Sequence, residues 1–178
     1  MTLYLQIKIN LKVFIILILL STCSLADLKV NDIAPNFTLR DQSNVLQSLG
    51  DYKGRWVVLY FYPKDDTPGC TTEACEFRDA VFSFKKFNCQ ILGISMDDEI
   101  SHKAFAEKYS LPFPLLADTD GITSDIYGVK TKILGITFAK RQTFLIDPNG
   151  RIAKHYAKVN PTTHSLQILT DLKELINP

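Results

Sequence analysis

Four cysteines in 178 residues are too few for a disulfide scaffold, though they leave room for a reactive thiol. Lys and Arg total 20 against 19 Asp and Glu, a net charge of only +1, so no basic excess is available to hold a nucleic-acid backbone. The three histidines, His102, His155 and His164, are scattered without ligand spacing to Cys or acids, and predict no metal. Repeats, low-complexity tracts and linker-like stretches are missing after residue 27. The apolar run from Val13 to Leu20 is well short of the roughly 20 residues that span a bilayer. What remains, 46% hydrophobic and 22% charged residues, is the composition of one globular domain.

The N-terminus is a different kind of sequence. Lys8 and Lys12 precede the apolar run, and Ser21-Thr22-Cys23-Ser24-Leu25-Ala26 follows it before the polar Asp27. A basic region, a short apolar core and small residues at Ser24 and Ala26 predict a secretory signal over residues 1–26, cleaved after Ala26. The rivals are an uncleaved N-terminal anchor and a lipoprotein, since Leu20-Ser21-Thr22-Cys23 resembles a lipobox in which Thr22 fits poorly. Cleavage removes two lysines and no acid, turns +1 into −1, and leaves Cys70, Cys75 and Cys89 in a mature domain over residues 27–178. Export, periplasmic or secreted, implies a compartment in which disulfides persist and no stable membrane insertion of the mature chain.

The mature chain reads as alternating strands and helices. Asn36 to Leu49 is an irregular arm with short strand pieces, and Trp56-Val57-Val58-Leu59-Tyr60-Phe61-Tyr62 is a strand buried on both faces. Thr67-Pro68 signals a helix start, and Cys70, Ala74, Phe77, Val81 and Phe84 make one stripe running to about Phe87. Phe77, Phe82, Phe84 and Phe87 are read as core and helix packing. A strand over Gln90–Ser95 completes a βαβ unit. A helix over Ser101–Tyr109, a strand at Leu115–Ala117 and a short helix at Ile122–Tyr127 follow. Asp147-Pro148-Asn149-Gly150 turns a hairpin between Gln142–Ile146 and Ile152–Val159. A helix over Thr163–Ile176 presents Leu166, Leu169, Leu172 and Leu175/Ile176. The pattern predicts an α/β fold, a three-layer α/β/α sandwich of thioredoxin-like type with a mixed central sheet.

Cys70 stands where the buried strand feeds the first turn of a helix, a setting of free amides and positive dipole that favours a thiolate. A buried structural cysteine is the plain alternative. Pro63-x-x-x-Thr67-x-x-Cys70, with Gly69 and Cys75, resembles the peroxiredoxin signature. The string Tyr60-Phe61-Tyr62-Pro63-Lys64-Asp65-Asp66-Thr67-Pro68-Gly69-Cys70-Thr71-Thr72-Glu73-Ala74-Cys75 resembles its bacterioferritin comigratory protein, or peroxiredoxin Q, branch. Ala34-Pro35-Asn36-Phe37, Leu111-Pro112-Phe113-Pro114 and Arg141-Gln142-Thr143-Phe144 extend the likeness over about residues 30 to 176. It implies a thiol peroxidase for hydrogen peroxide and alkyl hydroperoxides, without cofactor or metal. Cys70 would be the peroxidatic cysteine, passing through a sulfenic acid; Thr67 would hold the peroxide, Pro63 shield the site and Arg141 stabilise charge. Asp65, Asp66 and Glu73 would oppose the thiolate if close.

Five residues along a regular helix give about 7.5 Å of rise and a Cα separation of about 8.7 Å, beyond the roughly 7 Å that a disulfide allows. If Cys75 resolves Cys70, as the resemblance implies, the helix must unwind over about residues 68 to 80. A thioredoxin-like reductant would reopen the bond, and a monomer suffices, since both thiols lie in one chain. Cys89 reads as a buried core thiol, with a backup resolving role as its alternative. Val129 to Lys140, with Ile133, Leu134, Ile136 and Phe138, departs from the family's usual stretch and would form an apolar lip or a partner surface. Two other classes compete. An exported thiol–disulfide oxidoreductase would need C-x-x-C at the helix start, and a copper metallochaperone of the same fold would need a matching His.

Overall fold

A computed structural model describes residues 28–177; the predicted signal over 1–26 and Cys23 lie outside them. The strands are β1 (Thr38–Asp41), β2 (Leu46–Ser48), β3 (Trp56–Phe61), β4 (Cys89–Ser95), β5 (Leu115–Ala117), β6 (Lys130–Ile133), β7 (Ile136–Ala139), β8 (Gln142–Ile146) and β9 (Ile152–Tyr156). The α-helices are α1 (Pro68–Lys86), α2 (Glu99–Tyr109), α3 (Ile122–Ile126) and α4 (His164–Ile176). Seven strands form one mixed sheet in the order β2-β1-β5-β4-β3-β8-β9, while β6 and β7 pair separately.

The near-continuous apolar run of β3 has the physical cause its pattern predicts, because both faces are covered. Val58 and Tyr60 point into a core with Phe77 and Phe84 of α1, Phe105 of α2 and Ile168 and Leu172 of α4. Val57, Leu59 and Phe61 face the opposite layer with Leu49, Tyr52, Tyr127, Phe144 and Ile152. That opposite layer is thin, made of a 3-10 turn at Leu49–Tyr52, the short α3 and the N-terminal arm. The crossover through α1 makes β3 and β4 parallel, and β8 runs antiparallel on the other side of β3. Gly93 of β4 has no Cβ because one would come within 2.7 Å of the Tyr60 ring and 2.8 Å of Leu115.

Several expectations need correction. Of the stripe expected on α4, Leu169 and Leu172 are buried, but Leu166 is 65% exposed and Leu175 and Ile176 are exposed as well; His164, Ser165 and Ile168 complete the buried face. Spacings of three and four from Ser165 set that face, and Leu166 lies one residue off it. Phe82 is 74% exposed for the same reason, since its neighbours Val81 and Phe84 take the inner face of α1. The last strand ends at Tyr156, short of Val159. Helix α2 begins two residues earlier than predicted because Asp98 caps it, its Oδ1 accepting from the Ser101 amide at 2.8 Å. Among the described residues no helix is long and apolar enough to cross a membrane.

Candidate active site

The C-terminal end of β3 leads through Pro63–Thr67 into α1, and the antiparallel register sets Gln142 of β8 beside Phe61. Arg141, immediately before β8, therefore emerges at the same end of the sheet as the first turn of α1. Thr67 is the N-cap residue and Pro68 occupies the first helical position, where its missing N–H costs nothing. The Thr67 hydroxyl makes no cap bond; it donates to the Lys64 carbonyl at 3.0 Å, so its oxygen keeps acceptor capacity. The start of α1 thus has no side-chain cap, and Cys70 sits in its first turn.

Cys70 is only 2% exposed, and its Sγ accepts from Arg141 Nη2 at 3.2 Å. Arg141 Nη1 simultaneously donates to Glu73 Oε2. Gly69 leaves room for this approach, because a Cβ there would lie 3.2 Å from Arg141 Nη2. Burial weakens the guanidinium's hold on its proton, but the Glu73 carboxylate and the Cys70 sulfur reverse that and push Arg141 upward. Burial lifts Glu73 to about 7 against the opposing pull of Arg141. Glu73 Oε1 and the Tyr60 hydroxyl are both buried without a hydrogen-bond partner.

The loop before α1 is tied to α2 at two carboxylates. Asp65 is buried and accepts from Tyr62 at 2.8 Å and Ser101 at 2.8 Å, with His102 Nδ1 also 2.8 Å away. Asp66, in left-handed backbone, meets Lys108 Nζ at 2.6 Å and the Tyr109 hydroxyl at 2.6 Å. Neither carboxylate reaches the Cys70 sulfur by any hydrogen bond, so the feared like charges are spent on loop anchoring. Pro63 and Lys64 line a cavity of about 270 Å³ with Met96, Asp97, Ile136, Thr137 and Phe138. The β6–β7 hairpin thereby brings Ile136 and Phe138 beside Pro63, while Leu134 at its tip is 98% exposed.

Cys75 is a half-buried free thiol farther along α1, unbonded to Cys70. Cys89, at the start of β4, is buried, and burial pushes its thiol up to about 12, which makes it inert. His102 and His164 are fully buried, His102 Nδ1 lying 2.8 Å from Asp65 Oδ2 and His164 Nε2 2.8 Å from the Thr143 hydroxyl. No group of three or more His, Cys, Asp or Glu lies among the described residues in a metal-holding arrangement. Cys70 and Arg141 thus meet; Thr67 and Pro63 frame the same loop. Sequence reasoning missed the structural place of Glu73. The signal was available: three residues after Cys70 it falls on the apolar stripe, and a buried acid demands a cation.

The family model described as the AhpC/TSA family matches residues 30–155. Peroxiredoxin Q of Oryza sativa subsp. japonica, a chloroplastic protein, is 47% identical over 143 residues, 80% of this chain and 65% of the rice protein. This chain therefore spans just under two thirds of that relative. Peroxiredoxin Bcp of Bacillus subtilis is 41% identical over 155 residues, 83% of this chain and 97% of its own length. The solved bacterioferritin comigratory protein of Xanthomonas campestris, which has alkyl peroxide reduction activity, superposes with a TM-score of 0.76 at 32% identity, covering 83% and 97% of the two chains. Motif, topology and the match to 97% of the Bacillus protein agree: the chain belongs to the AhpC/TSA family, in its peroxiredoxin Q/Bcp branch.

Proposed function

We propose that this protein is a thiol peroxidase in which Cys70 reduces hydrogen peroxide and alkyl hydroperoxides. The observation that carries the reading is a single guanidinium, Arg141, reaching Cys70 Sγ at 3.2 Å in the uncapped first turn of α1. A fixed positive charge at that distance is placed to stabilise negative charge developing on a peroxide oxygen as it is attacked. The thiolate attacks one oxygen, an S–O bond forms and the O–O bond breaks. The other oxygen takes a proton and leaves as water or an alcohol. Thr67 would accept from the peroxide O–H with its free lone pair, and Pro63 would keep bulk water from the nucleophile.

Cys75 then resolves the sulfenic acid. Its sulfur bonds to that of Cys70, the S–O bond breaks, and water leaves. Because α1 is intact between the two thiols, this step requires its first turns to unwind. A thioredoxin-like dithiol returns the disulfide to two thiols by exchange, and one chain suffices for the cycle. Titrating the reduced protein with hydrogen peroxide tests the scheme: two thiols are lost per peroxide, with Cys70 linked to Cys75 by mass spectrometry, and Cys75→Ser instead accumulates sulfenic or sulfinic acid on Cys70. No thiol loss at stoichiometric peroxide would promote the disulfide-exchange reading.

The charged and apolar pattern of residues 1–26 supports an exported enzyme cleaved after Ala26. The intact mass of the protein recovered from its producing cell is expected to lack those residues; a full-length or lipidated mass contradicts this.

A further inference from the structure

Strands β6 and β7 form a two-stranded sheet of their own, outside the seven-stranded one. Leu134-Gly135 joins them, both residues in left-handed backbone with φ of 51° and 87°. Two-residue turns of that kind favour Asn-Gly or Asp-Gly, and a leucine at positive φ is strained. Leu134 is also 98% exposed; Ile133 and Ile136, opposite each other in the last register pair, are 56% and 68% exposed. A polar tip would suit both the turn and the solvent, so the apolar one points to something that covers it. The charge around the tip has one sign. Residues 129–140 carry Lys130, Lys132 and Lys140 and no acid. Lys132 and Lys140 are exposed, while Lys130 is half-buried and donates from Nζ to the Asp120 carbonyl at 3.3 Å. Asp97, the acid lining the neighbouring cavity, is turned to the loop, accepting from the Asp65 amide at 2.9 Å and the Ser95 hydroxyl at 2.7 Å.

We propose that the β6–β7 hairpin docks the protein on an anionic phospholipid surface: Ile133, Leu134 and Ile136 enter the acyl boundary while the lysines meet the phosphates. At about 3.3 Å per strand residue, Lys132 stands about 7 Å behind Leu134. Interfacial segments bury their apolar side about 5–10 Å deep, so that setback puts Lys132 at the headgroups, and lysines farther down the stem reach them with their long side chains. A protein partner fits less well. Protein interfaces favour Tyr, Trp and Arg and disfavour Lys, and residues 132–136 hold none of the first three. A hairpin tip is also small against the roughly 800 Å² that each partner buries in a stable interface. Ile136 and Phe138 of the same hairpin line the cavity beside Pro63. Docking therefore sets the loop that leads to Cys70 at the bilayer, and, resting on the peroxidase reading, hydroperoxides carried on acyl chains become its nearest substrates.

Vesicle sedimentation tests the docking without any peroxide. The chain from residue 27 is used so that the apolar run Val13–Leu20 plays no part; it holds the whole sheet and both core layers. Binding is expected to phosphatidylcholine vesicles that contain phosphatidylglycerol, and to fall sharply on phosphatidylcholine alone or at high salt. Ile133→Thr/Leu134→Asn keeps a β-branched strand residue and supplies the favoured Asn-Gly turn, so the hairpin is retained; partitioning is expected to drop about tenfold or more. Lys132→Gln and Lys140→Gln should each lower it about fivefold, on the anionic vesicles alone. No binding to the anionic vesicles overturns the proposal, as does binding that either the double variant or the loss of phosphatidylglycerol leaves unchanged. A dimer seen by sedimentation velocity without lipid, and lost in the double variant, would overturn it in favour of a second copy of the chain. Since no peroxide is used, such a failure is separate from failure of the peroxidase reading.

Discussion

Arg141→Met is expected to slow oxidation of Cys70 by about 10²–10³-fold and, separately, to destabilise the fold by about 3–5 kcal/mol. Two different bonds of one guanidinium cause the two losses. Nη2 serves the Cys70 sulfur at 3.2 Å, and Nη1 neutralises Glu73, which is fully buried. Removing the arginine takes away the one pull that opposes burial, so Glu73 is left either as an unpaired buried charge or as a carboxyl forced to take up a proton, and both cost stability. The two effects can be pulled apart. In Arg141→Met/Glu73→Gln the buried acid is gone, so most of the stability returns while the rate stays low. Urea unfolding at pH 8 and stopped-flow oxidation measure the two quantities, with Cys70→Ser as the floor for the rate. Equal recovery of rate and stability in the double variant would show that Arg141 acts on Cys70 only through the fold.

Much of this was legible in the chain because several signals coincided. The β-branched and aromatic run of β3, the Thr67-Pro68 helix start and the stripe from Cys70 to Phe84 each have one physical reading, and together they place a thiol at a helix start facing a sheet end. Arg141 was found from its motif, but only the antiparallel register of β8 beside β3 explains how a residue 71 positions away reaches Cys70. What stayed hidden depends on which face of an element turns inward. Leu166 satisfied the apolar spacing of α4 yet is exposed, because Ile168 and Leu172 hold that helix on the sheet side and Leu166 falls outside their arc. Glu73 and His164 look like surface residues by type, and both are buried. A polar residue is taken inside only when a distant partner meets it, and sequence distance conceals that partner: Arg141 for Glu73, Thr143 for His164.

Those two buried groups should give the protein a stability that changes little between about pH 4.5 and 6.5, because they titrate with opposite sign. Burial raises Glu73 from 4.5 to about 7, so the folded state holds its proton longer than the unfolded chain; this contribution is full at acid pH and is lost as pH rises through 7. Burial lowers His164 from 6.5 to about 4, against a smaller opposing effect of Gln167, so the unfolded chain takes its proton first; this contribution is full above 6.5 and is lost as pH falls through 4. Each limb amounts to about 3 kcal/mol at most. The exposed carboxylates Asp66 and Asp79, held down by Lys108 and Arg78, act below this window. Glu73→Gln removes one limb, and its stability is expected to climb by up to about 3 kcal/mol from pH 4 to 6.5. His164→Gln removes the other, leaving stability that falls as pH rises from 4.5 to 7. Urea midpoints measured at half-unit pH steps distinguish the curves. Parallel profiles for the wild type and both variants would show that neither buried group changes its proton affinity on folding.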